Sequence, residues 1–303
     1  MINNELLREF IGSYFDRETA MTYMGHKDLG RNNVYLIPHN NQVLKVYGDR
    51  RRRWAAEVAS LKFLQAKGLP VPKLADYGVF KETLYWVVMD KLEGIVLSNI
   101  VGQAAPEQHK KIFYDMGAFL SGFHTICKVN QFGEWDENRN KARSWLTFAE
   151  FEIEKNRRSA DELLVQNFDE HKLFKAGYSK MLSLEDSLTS VNSFSVCHND
   201  FSDRNVLVEK RGGDIKIVGL IDFELSYPGD PESDVTRMMV KNYFNKDIES
   251  FIAGYRKNSN PSANFEEKHR YYLIALCLEI CSWAHDNARD FFKQAVDVLE
   301  QVV

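Results

Sequence analysis

The sequence predicts an α+β protein of two lobes, a small one built on an antiparallel sheet and a larger, mainly helical one. Three observations carry that prediction. Up to about residue 90, short β-branched and aromatic runs alternate with Gly- and Asn-rich turns, whereas beyond Gly94 the apolar residues recur at helical spacing. The charge divides at the same place, with a net +3 over residues 1–90 and a net −7 over residues 91–303. One β-rich interruption, Ser195 to Asp222, lies among the later helices. The boundaries follow as a first lobe over 1–90, a hinge over 91–94 and a second lobe over 95–303.

An opening helix is expected from Asn4 to Phe15, with short strands at Met21–Met24, Asn33–Pro38 and Gln42–Tyr47. A helix from Arg51 to Lys67 stops at Gly68, with Pro70 and Pro72 beyond it as exit signals. Two more strands end in Leu84–Met89. The second lobe is expected to hold helices at Pro106–Ile126, Ser144–Asn156 and Asp161–Gln166, and a long run from Glu266 to Val303. The sequence contains no internal repeat and no low-complexity tract.

The 303 residues, 44% hydrophobic and 27% charged, suit a globular chain long enough to bury a core. A net charge of −4 argues against a general nucleic-acid binder, which needs a basic surface to meet phosphates. Cys127, Cys197, Cys277 and Cys281 are too few and too scattered for a disulfide framework and read as core thiols of a reducing compartment. MINNELLREF lacks the cationic lead-in and apolar run of a signal peptide. Tyr271–Ile280, the longest apolar stretch, is half a membrane span and contains Glu279. No membrane partner and a cytoplasmic location are therefore expected.

The chemistry concentrates in SVCHNDFSDRNVLVEKRGGDIKIVGLIDFE, residues 195–224. Val206–Val208 and Ile215–Ile221 flank Arg211-Gly-Gly-Asp214, a hairpin turn by composition. A hairpin returns the chain to its starting point, so Asp222 is expected beside Asn205 and Asp200, with His198 at the same mouth. Two carboxylates and an amide converging there are costly with nothing between them. Mg²⁺, which takes oxygen ligands and bridges to substrate phosphates, resolves that cost. A carboxylate not consumed by metal can accept a proton from an attacking hydroxyl.

In the first lobe, Lys45 is the only charge within the apolar strand Gln42–Tyr47. The helix after it places Trp54, Glu57, Leu61 and Leu64 on one inward face. A lysine inside a strand and a glutamate inside the next helix's apolar stripe explain each other as an ion pair.

His198-Asn-Asp-Phe-Ser-Asp-Arg-Asn205, Leu220-Ile-Asp-Phe-Glu224 and Gly229-Asp-Pro-Glu-Ser-Asp234 resemble the motifs of the aminoglycoside phosphotransferase and choline kinase family, which shares its catalytic core with protein kinases. The lobe arrangement agrees over most of the chain. The resemblance implies a protein-kinase-like fold and a kinase that moves the γ-phosphoryl of ATP or GTP to a hydroxyl. It implies Asp200 as catalytic base and His198 as brace of the catalytic loop. Asn205 and Asp222 are then the ligands of Mg²⁺ on the nucleotide phosphates, and Asp234 is a structural tie between a helix and that loop. Lys45, held by Glu57, would grip the α- and β-phosphates. Backbone groups from Asp90 to Leu92 would read the base. Gly25 to Asn33 stands where the family's phosphate-covering loop lies, although it is not G-x-G-x-x-G.

The chain departs from the family pattern in four places. Asn199 replaces the glycine common between the motif's His and Asp, and Ser202-Asp203-Arg204 replaces the frequent His-Pro-Gly. Asp222-Phe223-Glu224 is not Asp-Phe-Gly, and no Ala-Pro-Glu follows, which argues against a protein kinase with a regulated activation loop.

The acceptor is expected to be a small cationic molecule bearing a hydroxyl. Its candidate contacts are Glu224 and Asp230, together with Glu279, Trp283 and Asp286, whose spacing of 4 and 3 puts them on one helix face. An acidic cleft holds ammonium groups through charge-assisted hydrogen bonds, which favours an aminoglycoside or related basic antibiotic and hence a resistance enzyme. Choline or ethanolamine is the alternative, with Trp283, Tyr271 and Tyr272 available for an aromatic cage. A non-catalytic pseudokinase is the remaining one, and the presence of Lys45, Glu57, Asp200, Asn205 and Asp222 together counts against it.

Overall fold

The computed structural model describes residues 4–15, 19–25, 32–141, 145–212, 214–245 and 247–303. Helix α1 (Asn4–Tyr14) precedes strands β1 (Thr22–Tyr23), β2 (Asn33–Ile37) and β3 (Gln42–Gly48), helix α2 (Arg51–Ala66), and strands β4 (Leu74–Phe80), β5 (Leu84–Asp90) and β6 (Ile95–Val96). Next come α3 (Ser98–Val101), α4 (Pro106–Ile126), β7 (Lys128–Val129), α5 (Phe148–Leu164) and α6 (His171–Leu182). Strands β8 (Phe194–Cys197), β9 (Val206–Arg211), β10 (Asp214–Leu220) and β11 (Tyr227–Gly229) follow. Helices α7 (Pro231–Lys241), α8 (Ile248–Tyr255), α9 (Phe265–Ala284) and α10 (Arg289–Val302) complete the chain. The chain groups into two compact units, one of residues 1–99, 134–142 and 204–226, the other of residues 100–133, 143–203 and 227–303.

In the first unit five antiparallel strands run in the order β1-β2-β3-β5-β4. Side chains alternate along β3, so Leu44 and Val46 join Leu7 and Phe10 of α1 in one apolar cluster. Lys45 and Tyr47 are left to the opposite face, where both reach Glu57 of α2. Helix α2 buries Trp54, Glu57, Leu61 and Leu64, the face its spacing predicts, and the Trp54 indole N–H donates to the Trp86 carbonyl at 3.0 Å. A second antiparallel sheet in this unit orders β10-β9-β6. Its hairpin pairs Asp214 with Arg211 and Leu220 with Val206, so the turn sits where composition put it.

In the second unit α9 is the central helix, packed against α5, α6, α7 and α10, with Tyr271 through Leu278 buried. A small sheet orders β11-β8-β7. Helices α4 and α8 cross with their backbones in contact. A Cβ on Gly117 would lie 2.0 Å from the Phe251 carbonyl oxygen, and one on Gly254 would lie 1.9 Å from that of Tyr114. Cys127, Cys197, Cys277 and Cys281 are free thiols, all buried. Among the described residues no helix is long and apolar enough to cross a membrane.

The helical pattern of this unit differs from expectation in three places. Helix α5 starts at Phe148 because Thr147 and Glu150 form a reciprocal capping box. It then runs unbroken to Leu164, so Ser144–Asn156 and Asp161–Gln166 are not separate helices. Helix α6 was not anticipated, nor were α7 and α8. The run from Glu266 to Val303 is broken between Ala284 and Arg289, so Asp286 lies in a turn beyond α9 and does not share its face with Glu279 and Trp283.

Candidate active site

Two groups of polar residues, one in each unit, contain eight of the residues the sequence singled out: Lys45, Glu57, Asn205, Asp222 and Glu224 in the first, His198, Asp200 and Asp234 in the second. In the first unit the Lys45 ammonium donates to Glu57 Oε2 at 2.6 Å and to Asp222 Oδ1 at 2.7 Å, and lies 3.0 Å from Glu224 Oε2. Burial by itself would lower the Lys45 pKa. The carboxylates of Asp222, Glu224 and Glu57 outweigh it and hold the ammonium firmly protonated. Glu57 accepts further bonds from the Tyr47 hydroxyl and, at 3.3 Å, from the Phe223 backbone N–H. Burial pushes its carboxyl up, with Lys45 opposing.

The first turn of α2 adds Arg53, whose guanidinium donates to Glu224 Oε1, while the Asn32 amide donates to Glu224 Oε2. Burial would raise the Glu224 carboxyl, but Lys45 and Arg53 bring it down to about 2. Glu224 is thus already spent on two cations inside this unit. Arg53 is the member that sequence reading missed. Its signal was present, because Arg53 stands four residues before Glu57 and shares its face.

Asp222 sits at φ 70°, and its side chain is 40% exposed. The Ile221 N–H donates to the Asn205 carbonyl at 2.9 Å, which sets Asn205 and Asp222 at the same end of the β9–β10 hairpin. An amide oxygen and an exposed carboxylate are hard donors and suit Mg²⁺. At the end of β5, the Asp90 N–H donates to the Lys73 carbonyl and the Lys91 N–H to the Asn41 carbonyl. Those two amides are therefore spent locally, and Leu92 is a half-buried neighbour of Gly219. The expected phosphate-covering loop falls largely on residues 26–31, which lie outside the described residues.

In the second unit the segment after β8 is held by one carboxylate. Asp234 accepts the backbone N–H of His198 at 2.7 Å and that of Asn199 at 2.6 Å. The oxygen that accepts from His198, Oδ2, also meets His124 Nε2 at 3.0 Å, and His124 Nδ1 meets the Tyr255 hydroxyl at 3.0 Å. Burial alone would raise the Asp234 pKa, yet His124 and His198 hold it below the usual carboxylate range. His198 is fully buried, and its Nδ1 accepts the Asp200 N–H at 3.2 Å, so the ring braces the backbone that carries Asp200.

The remaining acceptor candidates are placed unevenly. Asp230 is buried, caps α7 through the Glu232 N–H, and accepts from Lys268 at 2.7 Å and Tyr272 at 3.1 Å. Its carboxylate therefore serves the fold. Tyr271 and Tyr272 are core groups, so two of the three cage aromatics do not face outward. Glu279 keeps 38% of its side chain exposed and pairs with Arg237 at 3.3 Å. Trp283 packs partly against the helical core, and Asp286 is 85% exposed beside His285.

The sequence profile of the phosphotransferase enzyme family (APH) matches residues 26–271. Among curated protein sequences none matches the chain. Among solved structures, the aminoglycoside phosphotransferase APH(4)-Ia superposes with a TM-score of 0.72 at 15% identity, over 99% of this chain and 98% of that one. An ADP-bound aminoglycoside phosphotransferase, APH(2'')-Ib, superposes with a TM-score of 0.60 at 16% identity, over 99% and 97%. A GDP complex of a variant aminoglycoside 2'-phosphotransferase-IIIa gives 0.67 at 15% identity, again over 99% and 97%. An antiparallel sheet region with a helical remainder, kinase motifs in their expected order and a profile spanning most of the chain lead to one conclusion: the chain belongs to the phosphotransferase enzyme family and has its protein-kinase-like fold.

Proposed function

We propose that the protein transfers the γ-phosphoryl of ATP or GTP to a hydroxyl of a small cationic acceptor, an aminoglycoside or related basic antibiotic. The observation that carries this reading is the buried Lys45, set 2.6 Å from Glu57 and 2.7 Å from Asp222. A buried ion pair costs desolvation and is a poor source of stability, so its presence favours a role in handling charge. The solved APH(4)-Ia complexes hold AMP-PNP and hygromycin B, and the 2'-phosphotransferase-IIIa complex holds GDP. These support a nucleotide donor of either base and a basic acceptor.

In this reading residues 1–90 form the nucleotide-binding lobe, 91–94 the hinge along which the base lies, and 95–303 the acceptor lobe. Lys45, aimed by Glu57, grips the α- and β-phosphates. Asn205 and Asp222 would hold Mg²⁺, which when bound would neutralise charge on the phosphates. Asp200 aligns the acceptor hydroxyl and takes its proton as the new O–P bond forms and the bond to the nucleoside diphosphate breaks. His198 keeps the Asp200 backbone in place. Of the four acidic acceptor candidates, Glu279 and Asp286 keep their carboxylates most accessible to an ammonium group, with Trp283 between them in sequence.

The test is a coupled phosphotransferase assay with both nucleotides against aminoglycosides, choline, ethanolamine and amino sugars. Saturable turnover of a basic antibiotic, with KM rising as salt screens its ammonium groups, is expected. Turnover of choline with none of any antibiotic would overturn the acceptor, and a lack of all magnesium-dependent phosphotransfer would overturn the kinase reading.

A further inference from the structure

We infer that Arg53 is a positioning residue for phosphate binding: it occupies one oxygen of Glu224 so that Lys45 can exchange that carboxylate for a nucleotide phosphate. The inference rests on the reading of Lys45 given above. Arg53 and Glu57 stand one turn apart on the inward face of α2, and each engages a member of the same charged group. Glu57 holds Lys45 directly. Arg53 reaches it through Glu224, whose Oε1 accepts the guanidinium while its Oε2 lies 3.0 Å from the ammonium.

Charge counting shows what the guanidinium does. Among the described residues, Glu57, Asp222 and Glu224 surround Lys45 with three carboxylates, and Arg53 is the second cation in contact with them. With Arg53 the five groups sum to −1, and without it they sum to −2. The Glu224 side chain is only 11% exposed, so water compensates it poorly and a lone lysine would be drawn onto it more tightly. A phosphate entering the site must compete with every carboxylate that claims Lys45. A permanently charged guanidinium weakens one of those claims without removing Glu224. The same carboxylate also ties down the Asn32 amide, whose oxygen accepts from Arg50 at 3.2 Å, so displacing Glu224 would loosen the end of the β2 approach as well.

The test is calorimetric binding of AMP-PNP with Mg²⁺, alongside nucleotide KM. Arg53→Met, which keeps the apolar stem, should weaken binding about tenfold, and Arg53→Met/Glu224→Gln should recover most of that loss. A role in packing alone would leave the double variant as weak as the single one. Wild-type binding by Arg53→Met, or no recovery in the double variant, overturns the inference. Should Arg53→Met fail to fold, Arg53→Lys is read in its place, with a weakening of about threefold that Glu224→Gln again repairs. Lys45→Met separates the two levels. Unchanged nucleotide binding and turnover in Lys45→Met would overturn the reading of the site itself, whereas a loss there with unchanged Arg53→Met overturns only the role of Arg53.

Discussion

Asp234 accepts the backbone N–H of Asn199 at 2.6 Å while Asn199 holds φ at 59°, in the left-handed region. That region favours glycine and, among other residues, asparagine, so Asn199 can hold a conformation there that most side chains resist. Asn199→Gly should be at least as stable as the parent. Asn199→Val, which puts a β-branched side chain at positive φ, should lose about 2 kcal/mol and lower turnover by distorting the backbone between His198 and Asp200. Denaturant midpoints and kcat for the two variants check this; equal stability would mean the left-handed conformation is not imposed.

Asp200 should separate chemistry from binding. Asp200→Ala is expected to lower kcat by about 10²–10⁴-fold, the range of general-base catalysis, with nucleotide affinity little changed. Single-turnover kinetics beside calorimetry would reveal it, and near-normal turnover would remove Asp200 from the mechanism.

Two glycines of α4 predict opposite signs within one helix. At Gly117 an added Cβ would collide with the Phe251 carbonyl, while at Gly122 it would meet nothing within 4 Å. Gly117→Ala should cost about 3 kcal/mol or more by forcing α4 and α8 apart. Gly122→Ala should instead gain up to about 1 kcal/mol from helix propensity. Thermal unfolding of the pair decides it.

Acid should weaken the second unit through His269. Burial, and next the Arg270 charge, lower its pKa to about 4, with Glu232 partly opposing. Its Nδ1 lies 3.0 Å from the Thr236 hydroxyl and its ring stacks on Phe265. An unfolded histidine titrates near 6.5, so between about 6.5 and 4 the unfolded chain binds the extra proton and stability falls as pH falls. The full effect is about 3 kcal/mol, and His269→Gln should flatten the slope of the denaturant midpoint over that window.

Sequence patterns revealed those parts of the molecule whose cause is local. The β9–β10 hairpin was legible because its turn residues and flanking β-branched runs state the same geometry. Lys45 and Glu57 were legible because each breaks an apolar pattern at a point where only a partner explains it. The roles of Asp230 and Glu224 were not legible. A surplus acid looks the same in sequence whether it faces water or, like Asp230, meets Lys268 from a helix 38 residues away. The separation of Asp286 from Glu279 and Trp283 was missed because His285 to Ala288 contains neither glycine nor proline to mark the break after α9. The start of α5 is written in the sequence, where Thr147 and Glu150 spell out the capping box.

The four buried thiols turn the molecule into its own alarm for opening. Burial raises the pKa of Cys197, Cys277 and Cys281, the last to about 12, so in the folded state these sulfurs stay protonated and sheltered from alkylating reagents. Cys197 lies directly before His198, and Cys277 and Cys281 line the central helix. A thiol-reactive dye added to the native protein would therefore be consumed only as fast as these regions breathe. Peptide mapping of the labelled sulfurs would then tell a fluctuation beside the catalytic loop from one in the helical centre.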